Sequence, residues 1–111
     1  MNNYSVIGRL VKDIEIKESE NKKKYAYLTV AVDRTYKTAE DEKITDFIDM
    51  IVWGDLADRV STYCHKGDLI AAMGRIETRM IEKEDHNEKV TSLVCEKVTF
   101  LSTKKDDKES K

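Results

Sequence analysis

Along most of this chain apolar and polar residues alternate in steps of two, and in one segment only the spacing becomes helical. Residues 4–11 are mainly β-branched and aromatic around Gly8, which suits a strand that bends or meets another backbone closely at the glycine. Residues 14–18 alternate apolar and charged, and a charged turn over 18–24 predicts a long bent strand ending in a hairpin loop. In residues 25–34, Tyr25, Tyr27, Thr29, Ala31 and Asp33 share one face, and Ala26, Leu28, Val30, Val32 and Arg34 the other. Residues 36–43 read as an exposed loop, and 44–53 resume with strand character. From Gly54 the period changes, because Leu56, Ala57, Val60, Tyr63 and Cys64 recur at helical spacing. Gly67 is expected to close this short helix. Two more strands follow, 69–81 with Gly74 inside it and 90–101, joined by an acidic loop over 82–88.

Three strands, one helix and two strands is the element order of an all-β, five-stranded Greek-key barrel of the OB type, with its helix between strands three and four. At 111 residues there is room for one such domain, expected over 1–102, followed by a short charged and disordered tail over 103–111. Cys64 and Cys95 stand alone, with neither a Cys-x-x-Cys pair nor a histidine at ligand spacing, so buried thiols in a reducing compartment are expected, with no metal or cofactor. No basic leader followed by an apolar run opens the chain, and no segment approaches a membrane span, which predicts a cytoplasmic protein without a membrane partner. The net charge is −2, so any surface that meets phosphates must come from the distribution of charge and not from its total.

Enzymatic readings find little support. His65 beside Cys64 points away from it on a helix, and no third group orients the pair. Asp46 and Asp49 fall on opposite strand faces, while Glu82, Glu84, Asp85 and Glu88 lack the spacing of a calcium loop. No catalytic residue is assigned. Phe47 and Trp53, six residues apart on one strand, share a face and read either as core rings or as a stacking platform. Tyr36 lies between Arg34 and Lys37 at a strand end, where a ring is hard to bury. Arg75 and Arg79 share parity on the fourth strand.

The chain resembles the bacterial single-stranded-DNA-binding protein family over nearly its whole length to Leu101. The likeness is carried by Met1-Asn2-Asn3-Tyr4-Ser5-Val6-Ile7-Gly8-Arg9-Leu10 with Lys12-Asp13, by Leu28-Thr29-Val30-Ala31-Val32-Asp33-Arg34, and by Thr45-Asp46-Phe47-Ile48 leading to Val52-Trp53-Gly54. Leu56-Ala57, Tyr63, Lys66-Gly67-Asp68 and Gly74-Arg75-Ile76-Glu77-Thr78-Arg79 complete it. The resemblance implies sequence-nonspecific binding and protection of single-stranded DNA in replication, recombination or repair. Bases would stack on Tyr36, Phe47 and Trp53, with Arg9, Lys12, Arg34, Lys37, Arg75 and Arg79 near the phosphates. It also implies a homotetramer associated with the nucleoid.

Two departures stand out. Ile81 takes the place of an aromatic that usually follows the Thr-Arg pair, beside a net acidic loop. The charged ending 104–111 also differs from the long linker and apolar tip through which the family recruits replication proteins, so that recruitment is not expected of this chain. The principal rival keeps the fold and changes the role, to an assembly protein of the primosomal accessory type with weak DNA binding. A second, an OB-fold nuclease, would need converging carboxylates and a metal.

Overall fold

A computed structural model describes residues 1–103, so most of the charged tail expected over 103–111 lies outside the described residues. The strands are β1 (Tyr4–Leu10), β2 (Lys17–Glu18), β3 (Lys24–Lys37), β4 (Lys43–Trp53), β5 (Leu69–Glu82) and β6 (Asn87–Ser102), with helix α1 (Gly54–Tyr63) between β4 and β5. The predicted first strand, with its bent continuation, is divided into β1 and the two-residue β2. β1 pairs antiparallel with both β5 and β3, β6 joins β5 to β4, and β4 returns to β3, which closes a five-stranded barrel with β2 as an appendage on β3.

Alternation decides what fills it. Ala26, Leu28 and Val30 of β3 and Met50 and Val52 of β4 point inward with Leu10, Ile70, Ala72 and Cys95. α1 adds Ala57, Val60 and the adjacent Cys64 to the same core. With ten residues, α1 is too short to cross a membrane.

Closure of the barrel depends on two close approaches. A Cβ at Gly74 would stand 1.8 Å from the Val94 carbonyl oxygen, at the irregularity where β5 turns along β6. At Gly8, where β1 crosses β3, it would lie 2.8 Å from the Ala31 carbonyl oxygen. Of the bend or close approach expected at Gly8, the structure shows the close approach.

Gly67 does not cap the helix. α1 ends at Tyr63, with the Cys64 N–H donating to the Val60 carbonyl, and Gly67 sits with φ 92° in the next turn. That turn is stapled to the end of β1, since the Gly67 N–H donates to the Leu10 carbonyl and the Leu10 N–H to the Asp68 carbonyl. Asp68 is buried, and its carboxylate accepts the His65 N–H at 2.8 Å.

Candidate nucleic-acid interface

β3 and β4 pair as Tyr25↔Trp53, Tyr27↔Ile51, Thr29↔Asp49, Ala31↔Phe47 and Asp33↔Thr45. Directly opposed residues share a face, and the alternate positions fill the core, so this set is the outer face of the β3–β4 ribbon. Phe47 is 66% exposed and Trp53 43%. Their rings lie on one face as alternation requires, and the core reading fails for both.

The face is one wall of a groove of about 770 Å³. The other wall comes from the β5–β6 hairpin, which contributes Glu77, Thr78, Arg79, Thr91, Ser92 and Leu93. Two further rings stand in this groove. Tyr25 lies against Trp53 with centroids 5.2 Å apart, and Tyr27 meets Tyr25 edge-on at 5.9 Å. The sequence put Tyr25 and Tyr27 on one face of their strand but gave them no role and did not join that face to Phe47 and Trp53. Alternation was the available signal, whereas the ring contacts depend on a β3–β4 register that composition does not supply.

Tyr36 sits elsewhere. It lies inside β3, not in a loop, within an irregularity at which β3 advances four residues from Asp33 to Lys37 while β4 spans two, Thr45 to Lys43. Arg34 donates Nη1 to the Tyr36 hydroxyl at 2.9 Å and forks onto the Asp46 carboxylate at 2.9 Å from both Nε and Nη2. Asp46 alternates with Phe47, so Arg34, Tyr36 and Asp46 occupy the reverse face of the ribbon's free end. Tyr36 is 60% exposed there. The hydrogen bonds from Arg34 hold the Asp46 carboxyl below its usual range, and those to Asp46 and Tyr36 raise the guanidinium. On the groove side, Asp33 accepts from the Thr45 hydroxyl at 2.6 Å and pairs with Lys43 at 3.0 Å, which lowers its carboxyl as well.

The cations divide into engaged and available ones. Arg79 lines the groove, and no carboxylate among the described residues pairs with it. Arg75 does not line it, and its guanidinium is shared between Glu77 at 2.7 Å and Glu96 at 3.0 Å. Arg9 donates to the Gly67 carbonyl at 2.8 Å and so belongs to the staple between β1 and the turn after α1. Lys37 pairs loosely with Asp41 at 3.6 Å, and Lys12 is exposed at the bend after β1. Met80 and Ile81 stand where a further ring was absent, and the acidic loop beyond them is drawn in by Lys83 pairing with Glu88 at 3.1 Å. Among the described residues no group of three or more acidic, histidine or cysteine side chains is placed to hold a metal ion.

Comparison with known proteins follows the same lines. A profile of the Single-strand binding protein family matches residues 1–101. Single-stranded DNA-binding protein B of Bacillus subtilis (strain 168) is 33% identical over 108 residues, covering 96% of this chain and 96% of its own. Single-stranded DNA-binding protein 1 of Clostridium acetobutylicum is 38% identical over 108 residues, covering 96% and 98% respectively. Among solved structures, one described as a Plasmodium falciparum SSB complex with ssDNA superposes with a TM-score of 0.76 over 92% of this chain and 96% of its own. At 21% identity, that likeness is one of fold.

Proposed function

The chain belongs to the single-strand binding protein family, and on that premise we propose that it binds and protects single-stranded DNA without sequence preference in replication, recombination or repair, as a binder and not an enzyme. The observation that carries this reading is the exposure of Phe47 and Trp53 on one wall of a groove whose other wall presents Arg79, with which no carboxylate among the described residues pairs. Every base has a π-face, so ring stacking is indifferent to sequence, at about 1 to 3 kcal/mol per base, and phosphate neutralisation adds a salt-dependent term.

Tyr36 acts at the end of the ribbon as a stacking ring for a strand that passes around it. Arg79, Lys12 and Lys37 meet phosphates directly. Arg34 and Arg75 do so by exchanging exposed carboxylate partners, which cost little to leave. Arg9 contributes through the staple it closes. The working unit is a homotetramer, supported by exposed Ile7 on β1 and Met73 on the adjoining β5, and it resides with the nucleoid in the cytoplasm.

Trp53→Ala tests the reading. It weakens binding to oligo-dT by roughly tenfold while the oligomer, measured by light scattering, stays intact. Unchanged affinity would take the ring off the DNA path. The assembly-protein alternative draws on the carboxylates that engage Arg34 and Arg75, and it predicts no measurable binding to oligo-dT at moderate salt.

A further inference from the structure

Phe47 and Trp53 are six residues apart on β4, a separation of about 20 Å at the rise of an extended strand. That span is longer than one nucleotide, so a single strand lying on both rings must cross an interval between them. Tyr27 stands in the interval. It is paired with Ile51, two positions from Trp53 and four from Phe47; the residue is 48% exposed and lines the same groove.

The ring is also braced. Tyr25 meets Tyr27 edge-on, at 5.9 Å and 89° between planes, and lies against Trp53 at 5.2 Å and 39°. Tyr25, Tyr27 and Trp53 therefore form one ledge in which Tyr25, the most enclosed of the three, sets the planes of the other two. A ring held this way loses little freedom when a base settles on it. Asp49 and Glu77 line the groove beside the ledge. Their carboxylates disfavour phosphate there, which turns the backbone toward Arg79 and the bases toward the rings.

We infer that Tyr27 is a base-stacking residue between Phe47 and Trp53, and that Tyr25 is a positioning residue that holds the Tyr27 and Trp53 rings. The inference rests on the groove being the single-strand interface. It also accounts for how a chain with Ile81 in place of a hairpin aromatic keeps a continuous stacking path: the added rings are on β3, and the path runs lengthwise along the ribbon.

The test is binding of a fluorescein-labelled oligo-dT by the full chain, read by anisotropy, with a thermal melt of each variant to establish that it folds. Tyr27→Ala is expected to weaken binding roughly tenfold, and Tyr27→Phe to recover most of the loss. Tyr63→Ala removes an exposed ring on α1 away from the groove and serves as the control. Tyr25→Leu is expected to shift the emission of Trp53 in the free protein and to reduce its quenching by oligo-dT. If Tyr27→Ala binds like Tyr63→Ala while Trp53→Ala loses affinity, the inference fails and the broader reading of the groove survives. If Phe47→Ala and Trp53→Ala also bind like wild type, both fail. A Tyr25→Leu variant with unaltered emission and affinity would remove the positioning role alone.

Discussion

Arg75 and Arg79 have the same residue type on the same strand face and differ in company. Arg75 is shared between Glu77 and Glu96, whereas Arg79 opens onto the groove without a carboxylate partner among the described residues. The two should separate in the salt dependence of binding to a single strand. Arg79→Ala is expected to reduce the slope of log affinity against log salt by about 0.7, the value of one lost phosphate contact, and Arg75→Ala to change it less. Equal slopes for the two variants would mean that phosphate displaces the glutamates freely. The thiols offer a second residue-scale test. Burial pushes Cys64 and Cys95 up from the ordinary thiol range, so both are protonated near neutral pH. Native protein should react slowly with a disulfide reagent and quickly once unfolded. Because a raised thiol keeps its proton in the fold when the unfolded chain has released it, stability should fall as pH climbs above the ordinary thiol value. Fast native labelling of either cysteine would contradict its burial.

At the scale of elements, the glycine positions rank in a way that stability can check. Gly74→Ala forces a methyl onto the Val94 carbonyl, and its cost in urea unfolding should reach or exceed the ~1 to 3 kcal/mol of ordinary overpacking. Gly8→Ala meets looser contacts and should cost less. If Gly74→Ala unfolds like wild type, the close crossing of β5 and β6 is wrong. These elements also show what the sequence could reveal. Within β3 the separation of Ala26, Leu28 and Val30 from Tyr25, Tyr27 and Thr29 was legible because a period of two sorts one strand's faces without knowledge of any partner. The same rule put Phe47 and Trp53 together. It also puts Tyr36 with Arg34, as found; what the sequence did not show is that β3 continues through Tyr36 where a loop was expected, because no residue type announces the irregularity between Asp33 and Lys37. Gly67 misled for a related reason: a glycine after a helical stretch suggests a cap, but this one serves a turn whose partner, Leu10, is far back in the chain.

Across the whole molecule, the charge total of −2 concealed the arrangement that matters. Acidic side chains pair with cations on the reverse face and along β5–β6, at Asp46 with Arg34 and Glu96 with Arg75, while the groove sets its rings and Arg79 beside Asp49 and Glu77. Sorting of this kind depends on pairs that β-barrel closure brings together from distant positions, so composition could not have displayed it. The central claim is that this groove holds a single strand by stacking and by phosphate contact, and the lone tryptophan stands inside it. Titrating its fluorescence with oligo-dT at several salt concentrations, beside a duplex of equal length, tests that claim most directly. Quenching that saturates with the single strand alone, at an affinity that falls as salt rises, is the predicted result. An emission unmoved by either nucleic acid, together with no binding in a separate anisotropy measurement, would contradict it.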